Sequence, residues 1–333
     1  MENERFFWIR IILGNEGSLQ DSWKKVVDKT PFSIIKEFAV VIQQFLNMVC
    51  YENDGQIWKN RGQRIWSPLY IAAGVGNSEL YQYIATKTSD GNHGKDDKKW
   101  TDLHTAVYYG NFKTFRLIFE NVANKNPRNA WGDTPLHIAV YKGCFEICNL
   151  IIANVDNKNP KYHKDHQLGA MHGETTFYKA AEYGHIEICK LFIDNLANKN
   201  PCDDFRISPL HVAAGFGHLE VCKLLMENLL EKNPANDFGF TPLHSAARSG
   251  HLEVCRLLME NILDKNPRSG NDLTPLHLAA LGGHLELYKL ILVNTKVKTP
   301  EDVDGCTPLH FAAITPFENA KRWLSKIHSK FCF

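Results

Sequence analysis

The 333-residue sequence predicts an all-α fold, in which pairs of antiparallel helices stack into a solenoid and hairpin loops link one pair to the next. Three observations lead to this prediction. A stretch of the type T-P-L-H recurs about every 33 residues, two apolar patterns with helical spacing follow each copy, and a polar, proline-containing linker precedes the next copy. A helical segment without this pattern precedes the repeats.

The clearest copy begins at Thr274 and reads TPLHLAALGGHLELYKLI. Thr274 suits a helix N-cap, and Pro275 suits the first helical position because its missing N–H would have no partner there. The pair Gly282 and Gly283 ends this short helix in a turn that glycine enters without strain. A second apolar pattern begins at His284, so the copy predicts two antiparallel helices.

The same arrangement recurs along the chain. T-P-L-H stands unaltered at residues 134, 241, 274 and 307, S-P-L-H at 208, and G-H-L-E at 217, 250 and 283. This sequence resembles the ankyrin repeat. The resemblance predicts eight repeats over residues 62–333, anchored at Pro68, Asp102, Pro135, Thr176, Pro209, Pro242, Pro275 and Pro308.

Residues 1–61 do not match the repeat, although Ser18–Val27 and Pro31–Val49 have helical patterns. The second of these helices is too apolar for a solitary surface helix. A helical repeat array leaves an open apolar end that must be covered for solubility. We therefore expect this segment to be an N-terminal cap, and a separate partner-docking module is the alternative.

The linkers between repeats are polar and contain proline. They read N-K-N-P at residues 124, 157 and 198, E-K-N-P at 231 and D-K-N-P at 264. The glycine that usually ends the second helix of an ankyrin repeat is missing, as at Leu229 and Ile262, so we expect this helix to run longer than typical. The resemblance also implies hydroxylation of a hairpin asparagine, for which Asn233 and Asn266 are the candidates. The lysine before each of them departs from the pattern of hydroxylated repeats.

An insertion of about eight residues lengthens one interval, near Lys161 to His172. It contains His163, His166 and His172, and three histidines could bind zinc. A structural zinc site needs four ligands in a tight cage, and no spaced cysteine or carboxylate completes one here. A flexible polar loop without metal is the favoured interpretation.

Composition narrows the classes of function. The net charge is +1, so no overall field favours nucleic acid or an acidic membrane. Phe6–Leu13 is too short to span a membrane. Cys148, Cys189, Cys222 and Cys255 share one repeat position and are expected to be buried thiols in a reducing compartment, which places the protein in the cytoplasm or nucleus.

Histidines are numerous but do not indicate an enzyme. Ten of the fifteen occupy fixed repeat positions, either as the last letter of T-P-L-H or at the start of the second helix. The resemblance implies that these residues form structural hydrogen bonds. No nucleophile, phosphate-binding or metalloprotease motif is present. We therefore expect no catalysis, no cofactor and no small-molecule substrate.

Protein binding is the predicted function, and the chain would act as a scaffold or adaptor. The resemblance implies that partners contact the hairpin tips and the ends of the first helices, which line a concave face. Aromatic residues and arginine are enriched in interface hot spots. The candidate residues at these positions are Tyr108, Tyr109, Trp131, Tyr141, Lys142, Tyr183, Phe205, Phe216, Phe238, Phe240 and Arg248.

Two alternatives remain at this stage. Hairpin aromatics such as Phe205 and Phe238 could instead pack against neighbouring hairpins. The chain could also be a regulatory or structural subunit that joins a larger complex through residues 1–61.

Overall fold

A computed structural model of the protein describes residues 68–87, 99–162 and 173–314. The segment 1–61, with its predicted cap, and the three histidines of the insertion lie outside these ranges. Within them the chain is all-α, as predicted, and only an isolated antiparallel bridge joins Lys161 to Thr175. The chain divides into two compact units, Met1–Asp156 and Asn157–Phe333.

Three helix pairs form the described part of the first unit. They are α1 (Pro68–Val75) with α2 (Ser78–Lys87), α3 (Asp102–Tyr108) with α4 (Phe112–Asn121), and α5 (Pro135–Lys142) with α6 (Phe145–Asn154). First helices pack on first helices and second helices on second helices. Ile84, Leu103, Phe115, Leu136 and Ile151 are fully buried between them, which removes their apolar surface from water.

The second unit continues the same pattern. Its helices are α7 (Thr176–Glu182), α8 (Ile186–Asn195), α9 (Pro209–Phe216), α10 (Leu219–Asn228), α11 (Pro242–Ser249), α12 (Leu252–Asn261), α13 (Pro275–Leu281), α14 (Leu285–Asn294) and α15 (Pro308–Ile314). Cys189, Cys222 and Cys255 are buried in its core, as Cys148 is in the first unit. Burial raises the pKa of all four thiols, which confirms that they are core residues.

A threonine and a histidine define the start of the first helix. The backbone N–H of Thr241 donates to Nδ1 of His244 at 3.0 Å, and the threonine hydroxyl lies 3.0 Å from the same nitrogen. An N–H can only donate, so Nδ1 carries no proton and Nε2 carries it. Nε2 of His244 then donates to the carbonyl of Leu273 in the next repeat, at 3.0 Å. The T-P-L-H histidine therefore caps its own helix and bonds the neighbouring hairpin.

The second helix of a repeat ends at an asparagine, so the expectation of a longer helix was wrong. α10 and α12 are ten residues long and end at Asn228 and Asn261. The amide of Asn228 donates to the carbonyl of Leu224 at 2.8 Å, which satisfies an acceptor at the helix end. The next residue, Leu229, is extended and buried in the core. Burial of this side chain, and not a glycine, turns the chain out of the helix.

A glycine and a histidine hold successive repeats together on the other side of the helix pair. Gly217 ends α9 with φ +80°, and a Cβ added to it would lie 2.5 Å from Nδ1 of His251 in the next repeat. Nε2 of His251 donates to the carbonyl of Gly215 at 3.0 Å. The same arrangement joins Gly184 to His218 and Gly250 to His284. These histidines are structural, as the resemblance implied.

Candidate protein-binding surface

Asparagine and aspartate side chains build the hairpin tips of the second unit. Oδ1 of Asp203 accepts the backbone N–H groups of Phe205 and Ile207, at 2.9 and 2.7 Å. In the next hairpin, Oδ1 of Asn236 accepts those of Phe238 and Phe240, at 3.0 and 2.9 Å. Side chains of this kind stabilise tight turns by bonding the backbone a few residues on. Both turns therefore carry an aromatic residue at the tip.

Backbone hydrogen bonds also join one hairpin tip to the next. The N–H of Asp237 donates to the carbonyl of Phe205 at 3.1 Å, and the N–H of Gly270 donates to that of Phe238 at 2.9 Å. The rings of Phe205 and Phe238 lie 5.8 Å apart. Phe205 is half-buried by this contact, while Phe238 keeps 55% of its surface exposed. The tips thus form a continuous surface with Phe238 projecting from it.

The ends of the first helices lie at the variable repeat positions. Phe216 ends α9 with 58% of its surface exposed, and its ring stacks on His218 at a centroid distance of 6.3 Å. His218 is itself fixed by a 2.7 Å bond from Nε2 to the carbonyl of Glu182. Phe216 therefore contacts a hydrogen-bonded histidine while more than half of its surface remains in water.

The remaining candidates of the second unit differ in exposure. Tyr183 and Arg248 are exposed at the ends of α7 and α11. Phe240 is half-buried, and its ring edge contacts His244 at 5.4 Å. We call the exposed part of this surface, formed by Tyr183, Phe216, Phe238 and Arg248, the hairpin-side face of the second unit.

The candidates of the first unit mostly contact one another. Trp100, which the sequence argument missed, lies 5.6 Å from Tyr108 and 6.3 Å from Trp131, both in edge contacts. Tyr109 packs against Tyr108 at 5.1 Å. The ammonium of Lys142 lies 4.1 Å from the centre of the Tyr108 ring, in a cation–π contact.

Tyr141 stands apart from this aromatic cluster in its exposure. It keeps 59% of its surface in contact with water, whereas Tyr108, Tyr109 and Trp131 are half-buried. Among the described residues of the first unit, internal packing therefore covers much of the area of the candidate aromatics, and Tyr141 is the candidate that projects into water.

Arg206 is a second residue that the sequence argument missed. It adopts φ +60° at the hairpin position where Gly132, Gly173, Gly239 and Gly305 also have positive φ. A side chain in this left-handed region costs roughly 1–2 kcal/mol. Glycine occupies this position in four other repeats, whereas Lys99 and Asp272 occupy it in two more, with φ +56° and +58°, so Arg206 is one of three residues with this left-handed backbone.

The strain predicts that Arg206→Gly stabilises the protein, by about 1 kcal/mol, because it removes the backbone cost at a small entropic expense. Urea unfolding followed by circular dichroism would measure the change. The matched control is Gly239→Ala in the next hairpin. There φ is +77° and an added Cβ would lie 2.6 Å from the backbone nitrogen of Gly270, so stability should fall. An Arg206→Gly protein less stable than wild type would contradict the argument.

A buried ionic cluster lies beside Tyr183. Nζ of Lys179 is 2.9 Å from Oε2 of Glu174 and 2.6 Å from Oε2 of Glu182, and the lysine side chain is only 10% exposed. Burial opposes the charge of Lys179, but hydrogen bonds to Glu182 and Glu174 outweigh it and raise the pKa of the lysine. The cluster fixes Glu182 at the edge of the hairpin-side face.

One of the two asparagines proposed for hydroxylation has a structural use. Oδ1 of Asn266 accepts the backbone N–H of Leu276 at 3.2 Å, near the start of α13. Asn233 occupies the same position one repeat earlier, but its Oδ1 is buried without a hydrogen-bond partner among the described residues. Both residues are half-buried. Their hydroxylation stays a prediction.

In the described residues, no group of three or more His, Cys, Asp or Glu lies close enough to hold a metal ion. No helix among them has the length and hydropathy required to cross a bilayer.

Comparison with known proteins agrees with the repeat geometry. The sequence model of a family described as ankyrin repeats (3 copies) matches residues 69–162, 103–201, 177–269 and 261–330. No curated protein matches the chain. Ankyrin repeats are generally protein–protein interaction modules, and the family is typically non-enzymatic. The matched segments run through most of the chain and coincide with its helix pairs, so the protein belongs to the ankyrin-repeat family.

Proposed function

We propose that the chain is a non-enzymatic adaptor that binds a protein partner through the hairpin-side face of its second unit. The observation that carries the proposal is the exposure of Phe216 and Phe238, each of which keeps more than half of its surface in water. Exposed aromatic area is a usual mark of interaction sites.

The way these rings are held supports the proposal. His218 stacks on Phe216, and Phe205 packs on Phe238, so each ring is oriented before a partner arrives. A rigid aromatic side chain loses little conformational entropy on binding. Among the described residues of the first unit, Tyr141 is the aromatic residue with comparable exposure, and we propose it as a separate contact.

The test compares two exposed apolar residues at different repeat positions. Phe216→Ala should lower partner affinity by more than about 1–2 kcal/mol if Phe216 is a hot spot. Its effect on stability should be about 0.5 kcal/mol or less, because the ring is largely exposed. Leu263→Ala is the matched control, since Leu263 is fully exposed in the turn after α12 and belongs to no proposed site.

Affinity capture from cell lysate with quantitative mass spectrometry would provide the measurement. Partners should be captured by the wild type and by Leu263→Ala and lost from Phe216→Ala, with equal unfolding midpoints for all three proteins. Partners that remain bound to Phe216→Ala, or a Phe216→Ala protein that unfolds early, would exclude Phe216 as a contact.

Two further expectations stay predictions. Assembly into a larger complex through residues 1–61 concerns a segment outside the described residues. A cytoplasmic or nuclear location is proposed from the cysteine content of the sequence.

A further inference from the structure

The arginines of the described residues fall into two groups. Four of them have an acceptor within the chain. Arg116 pairs with Glu120, Arg256 with Glu253 and Arg268 with Asp272, and Arg128 donates to the carbonyl of Gly132. Arg206 and Arg248 are exposed, and their guanidinium groups form no hydrogen bond or ion pair with the described residues.

These two arginines flank the exposed aromatic rings. Arg206 follows Phe205 at a hairpin tip that is hydrogen-bonded to the tip carrying Phe238. Arg248 lies in the last turn of α11, the first helix of the repeat that follows Phe216. With Arg206 added to it, the hairpin-side face therefore combines projecting aromatic rings with two unpaired guanidinium groups.

We propose that this face recognises an acidic segment of a protein partner. Aspartate or glutamate side chains of the segment pair with Arg206 and Arg248, while its apolar side chains contact Phe216 and Phe238. A guanidinium group binds a carboxylate through two parallel hydrogen bonds, which favours arginine over lysine for this recognition. The inference rests on the proposed function and specifies the chemistry of the partner.

Neighbouring acidic groups refine the kind of partner. Asp204 lies 3.5 Å from Lys161, and Glu182 is paired with Lys179. Asp237 is an exposed carboxylate at the tip that carries Phe238, and it forms no ion pair with the described residues. It would repel the evenly spaced phosphates of a nucleic acid. A peptide can instead place its acidic residues opposite the arginines alone.

A random peptide library displayed on phage tests this inference with the full chain as bait. Peptides that bind the wild type but do not bind the Phe216→Ala variant should be rich in Asp and Glu. Their affinity, measured as synthetic peptides by fluorescence anisotropy, should fall at least tenfold for the double variant Arg206→Gly, Arg248→Ala. Asp237→Asn should strengthen binding about twofold or more, because it removes a repulsive charge. The control, Arg256→Ala on α12, should change the affinity less than twofold.

The outcomes separate this inference from the proposed function. Peptides that need Phe216 but are neutral or basic, or that bind the double arginine variant as tightly as the wild type, would overturn the acidic partner and leave the binding face intact. Failure to recover any Phe216-dependent peptide would overturn both. A labelled single-stranded DNA probe that binds the wild type more tightly than the peptides do would also overturn the inference.

Discussion

Lys179→Met is expected to lower the free energy of unfolding by about 3–5 kcal/mol, because it leaves buried carboxylates without a counter-charge. Lys179 lies between Glu174 and Glu182, whose side chains are themselves mostly buried. Methionine keeps the length and apolar stem of lysine, so the loss reports on charge more than on packing. Urea unfolding at neutral pH would measure it.

The control for this prediction is Lys223→Met. Nζ of Lys223 lies 2.7 Å from Oε1 of Glu220, three residues away, and both side chains are well exposed. Such surface pairs contribute about 0–1 kcal/mol, so this variant should be nearly as stable as the wild type. Equal losses from the two lysine variants would contradict a special role for the buried cluster.

Acidification is expected to destabilise both units through the histidines of T-P-L-H. Burial lowers the pKa of His104, His211 and His244 to about 4, and their hydrogen bonds to backbone carbonyls only partly oppose this shift. The unfolded chain binds protons at the ordinary histidine pKa near 6.5, so it binds more protons than the folded chain in the window between. The contribution of these histidines to the free energy of unfolding is therefore complete above pH 6.5 and is lost as the pH falls toward 4.

The magnitude follows from the width of that window. Each of these histidines contributes about 1.4 kcal/mol per pH unit, so the pair His211 and His244 removes about 3 kcal/mol per pH unit from the second unit. The free energy of unfolding, measured in urea at pH 7.5, 5.5 and 4.5, should change little down to about pH 6.5 and approach this slope below about pH 5.5. His244→Gln should be less stable at pH 7.5, yet its slope should be shallower by about 1.4 kcal/mol per pH unit. An unchanged slope in this variant would exclude His244 as a proton-linked group.

The helix starts could be predicted from the sequence because their causes are local. Thr241, Pro242 and His244 lie within one turn, and their hydrogen bonds close within that turn. The end of the second helix could not be predicted in the same way. Leu229 is extended and buried there, and the absence of a glycine from the sequence did not indicate this burial.

The residues of the candidate surface also divide into those that the sequence could identify and those that it could not. The exposure of Tyr141 and Phe216 agrees with their variable repeat positions, which the pattern identifies. The contact of Trp100 with Tyr108 and Trp131 depends on packing between residues far apart in sequence.

The contact of Gly217 with His251 makes whole repeats of the second unit exchangeable. Excision of residues 218–250 would join Gly217 directly to His251, and the new chain would have His251 in the place of His218. His284 would then meet Gly217 and the carbonyl of Gly215, since the same residue types form each of these junctions. Recombination between such copies can therefore shorten or lengthen the array in steps of 33 residues without creating a foreign boundary. Each step also removes or adds one set of hairpin-tip and helix-end side chains. The length of the binding surface can therefore change while the contacts between successive repeats are conserved.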